Sequence, residues 1–397
     1  MSELSYMEKL LDGVEVEWKS LGELGELVRG NGLPKKDFTE SGIPAIHYGQ
    51  IYTYYGLSTK STKSFVSPET AEKLKKVNTG DVVITNTSEN LEDVGKALVY
   101  LGEEQAVTGG HATIFKPGKV ILGKYFAYFT QTNVFSDDKR RYSKGTKVID
   151  VSATDMAKIE IPVLPLKIQA KIVRILDTFT ELTAELTAEL VARKQQYSYY
   201  REQLLTLDNG NSEIKNLNEI CTMRAGQHIS ASKILADSNT DHVYPCFGGN
   251  GIRGFVDKNS HDGSYLLVGR QGALCGNVHR MSGQFYATEH AVVVTAREGI
   301  NIDWLFHMLT LMNLNQYASK SAQPGLAVGK LSSLKVSVHP LEEQERIASI
   351  LDKFDTLTTS LTEGLPREIK LRQQQYEYYR ELLLSFPKLE ICTDNNS

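Results

Sequence analysis

Two short stretches decide how this chain is built: Ile172-Val-Arg-Ile-Leu-Asp-Thr-Phe-Thr180 and Ile347-Ala-Ser-Ile-Leu-Asp-Lys-Phe-Asp355, one pattern repeated 175 residues apart. Working outward, KQQYSYYREQLL (Lys194–Leu205) aligns with RQQQYEYYRELL (Arg372–Leu383) at an offset near 179. Upstream, Gln105–Tyr128 aligns with Gln284–His307 at the same offset, setting His111-Ala112 against His290-Ala291. More weakly, WKSLGEL from Trp18 pairs with IKNLNEI from Ile214. Collinear matches of this kind mark an internal repeat, and a repeat fixes the architecture before any single element does. The order is globular unit, helical segment, globular unit, helical segment.

The helical segments follow from hydrophobic spacing. Ile168, Ile172, Ile175, Phe179, Leu182 and Leu186 alternate by four and three, the seam of a coiled coil, and Tyr197, Tyr200 and Leu204 continue it. The second segment repeats this with Ile347, Ile350, Phe354, Leu357 and Leu361, then Ile369, Tyr376, Tyr379 and Leu383. Gly364-Leu365-Pro366 interrupts it and predicts a kink or break. A continuous helix from Ile168 to Thr206 would be about 58 Å long at ~1.5 Å per residue. Two such stripes in one chain are most simply satisfied by antiparallel packing against each other. The globular units read as strand-rich α+β: Asp81-Val-Val-Ile-Thr, Tyr265-Leu-Leu-Val and Ala291-Val-Val-Val are short β-like runs, whereas Tyr125-Phe-Ala-Tyr-Phe and Trp304-Leu-Phe-His-Met-Leu read as helix.

Composition narrows the class. Among 397 residues, 41% are hydrophobic and 23% charged, which excludes disorder and collagen-like repeats. No aliphatic run is long enough to span a bilayer, and the charge-broken amino terminus is unlike a signal peptide. Cys221, Cys246, Cys275 and Cys392 are too widely spaced for a local zinc knuckle and suit a reducing cytoplasm. The net charge is -4, and the segment from residue 340 onward holds most of the acid excess, with 7 basic and 11 acidic side chains. A nucleic-acid binder often carries a basic excess. Here any basic surface must come from arrangement, not amount.

Catalytic signatures are absent. There is no G-x-S-x-G elbow, no phosphate-binding loop, no Asn/Asp-Pro-Pro-Tyr/Phe run and no nuclease-type Pro-Asp…Glu-x-Lys. Gly249-Asn-Gly251-Ile-Arg-Gly254 matches a dinucleotide fingerprint in letters only, because its turn-rich surroundings favour a hairpin over a strand–helix crossover. Seven of nine histidines lie in the second globular unit, without metal-ligand spacing. No catalytic or metal-binding residue is assigned. Basic, polar and aromatic clusters in loops are the remaining candidates. Lys139-Arg140-Arg141-Tyr142-Ser143-Lys144 combines phosphate-binding charge with a stacking ring, and the repeat sets Lys320–Lys330 at the equivalent point. Arg270-Gln271 lies at a strand end, and both residue types can make bidentate base contacts. The candidate DNA contacts are therefore Lys139, Arg140, Arg141, Lys144, Arg270, Arg280, Lys320 and Lys330, with Asn86 and Gln271 as polar readers.

This arrangement resembles the specificity (S) subunits of type I restriction-modification systems, whose two target-recognition domains alternate with two helical regions. The resemblance covers nearly the whole chain. It rests on Ile161-Pro-Val-Leu-Pro-Leu leading into Ile-Leu-Asp, and on Val336-Ser-Val-His-Pro-Leu-Glu-Glu-Gln-Glu-Arg-Ile leading into the second Ile-Leu-Asp. The tandem Thr183-Ala184-Glu185-Leu186, Thr187-Ala188-Glu189-Leu190 looks like the four-residue spacer repeat of one branch of that family. The fold implied is two strand-rich recognition domains, 1–165 and 208–340, and two helical regions, 166–207 and 341–390, packed as an antiparallel coiled coil about a pseudo-two-fold axis, with a disordered tail at 391–397.

The resemblance further implies a non-catalytic, cytoplasmic reader of double-stranded DNA. Each globular unit would read half of a bipartite asymmetric target, and the helices would set the spacer and dock two methyltransferase subunits. Restriction (motor-nuclease) subunits would join them. S-adenosylmethionine, ATP and Mg would belong to those partners, leaving no cofactor in this chain. The competing classes are a coiled-coil scaffold without salt-dependent DNA binding and an unrecognised enzyme, such as a methyltransferase fragment that binds S-adenosylmethionine.

Overall fold

The computed structural model describes residues 7, 9–11, 13–206, 211–320 and 324–388. The tail expected at 391–397, with Cys392, lies outside the described residues. The chain divides into two units, residues 1–184 with 370–397, and residues 185–369. Each unit combines one globular part with a stretch from each of the two helical regions.

In the first unit the strand Glu17–Ser20 pairs antiparallel with Glu160–Val163. Ser20 caps the next turn reciprocally with Glu23, a capping box that explains the Ser-Leu-Gly-Glu spacing. This unit also holds two five-stranded sheets. One has Ala112–Pro117 and Val82–Thr85 at its centre, the other Ile43–Ile46. Helix α1 (Gly123–Phe129) is buried along Tyr125–Phe129, and helix α2 (Asn133–Tyr142) comes next in the chain. The second unit repeats the entry: Glu213–Asn216 pairs with Lys335–Val338, and Asn216 and Glu219 form the matching capping box. Its six-stranded sheet runs in the order Cys221–Ala225, Ala291–Ala296, His261–Gly269, Val278–Ala287, Tyr244–Gly248, Gly251–Val256. Gly263 and Gly283 face each other in the long hairpin, both at positive φ (+127° and +83°), a conformation that side chains other than glycine avoid. The Gly249-Asn250 stretch is a hairpin turn, as its surroundings indicated.

Helix α3 runs unbroken from Leu166 to Thr206. After helix α4 (Ile302–Leu311), the second helical region comprises α5 (Leu341–Thr359) and α6 (Leu365–Leu384). The break falls at Gly364, where φ is +83°. Pro366 then sits in the first turn of α6, where its missing N–H has no helical partner to lose. The seam is richer than a single coiled-coil stripe. Ile168, Ile172 and Leu176 are buried in the first globular core, and Ile347 and Leu351 in the second. Ile175, Phe179 and Leu182 are half-buried on a neighbouring stripe. The helix therefore has two apolar faces, one for its globular part and one for the other helical region.

Those second faces meet through equivalent aromatic stacks. Phe179 stacks on Tyr379 at 5.3 Å, and Phe354 stacks on Tyr200 at 5.7 Å. Phe354 also lies 6.0 Å from Tyr197 and nearly parallel to it. Each stack lies within one unit and joins α3 to the other helical region there.

The helix entries are locked by one side chain each. Gln169 accepts from Leu122 N–H at 2.8 Å and donates to the carbonyls of Val120 (2.8 Å) and Leu164 (2.7 Å). Gln344 does the same with Asn301 N–H (2.8 Å), Gly299 (3.2 Å) and His339 (2.8 Å). All three partners match across the repeat. The aspartates of the two Ile-Leu-Asp runs form the next contact. Asp177 accepts from Tyr128 Oη at 2.7 Å and Lys124 Nζ at 2.8 Å. Asp352 lies 2.8 Å from His307 Nε2 and accepts from Arg280. Both runs are thus docking clamps between helix and globular part.

Candidate nucleic-acid interface

Strand register identifies a free end on each sheet. In the second unit, Ala291–Ala296 finishes near Gly299 and Asn301, which Gln344 holds, so its start at Ala291 is the end remote from the helices. Gly269 pairs with Ala291, and Ala225 with Val292, which brings Arg270-Gln271, Gln227-His228 and Glu289-His290 to that same remote end. The first unit is built alike. Ala112–Pro117 finishes by Leu24, and Thr85 and Thr113 place Asn86-Thr87, Gly30-Asn31 and His111 at its remote end. The bridges Asn31–Gly109 and Gln227–Thr288 occupy matching positions in the two tips.

The tips differ in chemistry. In the first, Tyr48 sits between His47 (ring centroids 4.5 Å) and His111 (4.8 Å), with Tyr52 edge-on at 5.9 Å. His111 Nδ1 is 2.9 Å from Thr87 Oγ1. In the second, Glu289 Oε1 lies 2.9 Å from His228 Nδ1 and 3.5 Å from His290 Nε2. Arg270 Nη1 donates to the Glu289 carbonyl at 3.4 Å. Loops at the end of a rigid sheet are suited to recognition, and these two tips present different donor and acceptor sets.

The structure sorts the candidate contacts. Arg270 and Gln271 stand at the second tip, and Gln271 bridges to Gly325, which therefore stands at the same end. Lys320 and Lys330 are exposed. Arg140 is exposed on α2; Arg141 and Lys144 are three-quarters exposed and pair with Asp138 (3.2 Å) and Asp155 (2.9 Å). Lys144 bridges Asp150, whose strand pairs with Thr87-Ser88, which brings it beside the first tip. The segment 139–142 is the end of a helix and not a loop.

Three candidates are corrected. Asn86 is fully buried, donating to the Val151 carbonyl (2.7 Å) and accepting from Thr113 (2.9 Å), so it braces the tip and offers no edge to DNA. Lys139 is 5% exposed and donates to the Val94 carbonyl at 2.7 Å; burial depresses its pKa to about 8. A phosphate cannot reach it. Arg280 points to the helix-anchored end, bound to Asp352 and to Asp303 at 3.2 Å and lying over Phe306. Residue type identified these three as basic or polar, but only packing shows that their hydrogen-bonding groups are consumed inside. Conversely, Tyr48 and Glu289 also stand at the tips and were not singled out from the sequence. The equivalence of His111 and His290 in the repeat was the available signal, since it marks both tips.

One clamp carries a titratable group. His307 is fully buried; its Nε2 lies 2.8 Å from Asp352 and 3.1 Å from Arg280 Nη2, and its Nδ1 lies 3.2 Å from Tyr197 Oη, with Asp355 also facing the group. Burial pushes its pKa below the ordinary 6.5, outweighing the hydrogen bond to Asp352. The unfolded chain then binds more protons, so stability is lost as pH falls below about 6.5. His307→Tyr, which copies Tyr128 of the first unit, is expected to flatten that loss. Thermal melts at pH 7.5 and 5.5 check it: an equal acid shift in both proteins would refute the assignment.

Among the described residues no helix is long and apolar enough to cross a membrane, and no His/Cys/Asp/Glu group could hold a metal ion. Residues 13–193 and 209–371 each match the type I restriction modification DNA specificity domain. The chain is 48% identical over 387 residues to the type I restriction enzyme EcoprrI specificity subunit of Escherichia coli, covering 91% of this chain and 93% of that protein. It is 35% identical to the EcoR124I/EcoR124II specificity subunit of Escherichia coli, covering 99% and 100%. The type I restriction-modification S subunit from M. genitalium shares the fold, with a TM-score of 0.62 at 14% identity over 95% of this chain and 98% of that one. With two specificity domains in tandem, each clamped to the helical regions by the same glutamine and aspartate, the chain belongs to the type I restriction-modification specificity subunit family.

Proposed function

We propose that this chain selects the DNA target for a type I restriction-modification enzyme, each sheet tip reading one half of a split asymmetric site while the helices fix the separation. The observation that carries this reading is the contrast between repeated clamps and divergent tips. Three clamp hydrogen bonds are repeated position by position, whereas the tips present an aromatic–histidine stack in one unit and a glutamate beside an arginine in the other. A duplicated mount with two different readers suits two unlike half-sites.

The duplication also supplies two near-equivalent surfaces for two identical partners. Those partners are methyltransferase subunits, with restriction subunits completing the enzyme. S-adenosylmethionine, ATP and Mg act in the partners, the chain itself catalyses nothing, and the complex works in the cytoplasm. Exposed Tyr199 and Tyr378 lie at matching repeat positions on α3 and α6, the kind of aromatic anchor that protein interfaces favour.

The test is genome-wide adenine-methylation mapping in a host carrying the cognate methyltransferase, with and without this gene. A split motif that appears only with the gene is the expected result. An unchanged methylation pattern despite active methyltransferase would reject the proposal.

A further inference from the structure

Resting on that reading, we propose that Glu289 is a base-reading residue of the second unit, its carboxylate accepting from the exocyclic amino group of a base, foremost cytosine, in the major groove. Glu289 lies at the remote tip, on a loop held rigid by close backbone packing. A Cβ on Gly226 would lie 2.3 Å from the Ala287 carbonyl and 2.4 Å from that of Thr288, so the two loops touch backbone to backbone. Partial burial pushes its carboxyl up, yet the His228 hydrogen bond and the adjacent imidazoles hold it net below its ordinary value. It is ionised at neutral pH and can only accept.

A carboxylate facing DNA is repelled by phosphates, so it offers no general affinity. The groups in the major groove that match an acceptor are exocyclic amines, and glutamate pairs with cytosine N4. Only one of its oxygens is used within the chain. Oε1 receives His228, while Oε2 is shielded and has no hydrogen-bond partner among the described residues. Oε1, the oxygen that the exposed imidazole covers, is therefore the one a base can reach. His228 is 80% exposed, so little packing holds its imidazole over the carboxylate. It occupies the position of an amino donor and can swing out when a base arrives. The first unit has no counterpart. Gly110 stands at the equivalent position, and a Cβ there would already lie 3.2 Å from the backbone of Asn31 and Gly32. Recognition by this carboxylate is therefore confined to one half-site.

The experiment compares the wild-type chain with Glu289→Gln and His228→Ala, each assembled with the cognate methyltransferase, by methylation mapping. Melting temperatures equal to wild type verify the fold. The isosteric Glu289→Gln is expected to relax one position of one half-site, with discrimination there falling about ten- to a hundred-fold. The other half-site and the spacer stay unchanged, and His228→Ala keeps the wild-type motif. An unchanged motif for Glu289→Gln, a uniform loss across all sequences, or the same relaxation from His228→Ala would overturn the assignment. Absence of any split motif with the wild-type chain would instead reject the proposed function itself.

Discussion

Replacing Gln344 by alanine is expected to destabilise the second unit by about 3 kcal/mol, and Gln169→Ala the first by a similar amount. Each glutamine is at most 1% exposed, and each satisfies one backbone N–H and two carbonyls. An unpaired buried polar group costs roughly 1–3 kcal/mol, and part of that is recovered if water enters the space the side chain vacates. For units of this size each kcal/mol shifts the melting temperature by roughly 2–4 °C, so a fall of about 6–12 °C is expected. Gln344→Glu keeps the volume and the acceptor for Asn301 but sets a carboxylate against two carbonyl oxygens. It should be at least as damaging. Exposed Glu345, one residue on, provides the control, since its alanine variant should stay within about 0.5 kcal/mol. Calorimetry decides the matter. A glutamine variant that melts with wild type would show that the clamp contributes nothing.

Deleting Thr187-Ala188-Glu189-Leu190 is expected to abolish methylation of the native target and move it to one with a shorter spacer. The tandem Thr183–Leu190 lies inside the unbroken helix α3, and the boundary between the two units falls within it, at Ala184/Glu185. Removing four residues shortens the helix by about 6 Å and rotates its carboxyl-terminal half by about 40°. The axial change is just under two base pairs at ~3.4 Å each. Neither tip contains a residue of the tandem, so both half-site sequences should persist. Methylation mapping of the variant reads spacer and half-sites together. Altered half-sites with an unchanged spacer would contradict the proposed role of the helix. Leu186 and Leu190 are only half-buried and the residues between them are exposed, so loss of folding is not the expected cause of any change.

The duplicated plan was legible because it depends on local rules that repeat in the letters. Hydrophobic spacing of four and three predicts α3, and the Gly364–Pro366 run marks the break before α6. The Ser20/Glu23 and Asn216/Glu219 pairs are capping boxes readable from spacing alone. The resemblance to specificity subunits rests on that order. What hydrophobic spacing did not separate was the pair of apolar stripes on one helix: Leu176 belongs to the globular core and Phe179 to the helical pair, three residues apart.

The site residues divide along the same line. Arg270 and Gln271 were identified at a strand end, and the sheet register brings them to the tip. Asn86, Lys139 and Arg280 carry suitable groups, but each spends them on a partner distant in sequence: Val151, Val94 and Asp352 respectively. Residue type and local spacing define what a side chain can donate or accept; only the tertiary fold decides whether that capacity is still free. Glu289 shows the converse. Its one local mark is the neighbouring His290, matched to His111 in the repeat; its partner His228 lies 61 residues away, and only the sheet brings the two together. Sequence alone thus determined the repeat and the helices, which rest on local periodicity, and its motifs carried the resemblance to the family. The proposed reading surface was decided by strand register and burial, which depend on contacts the chain makes only when folded.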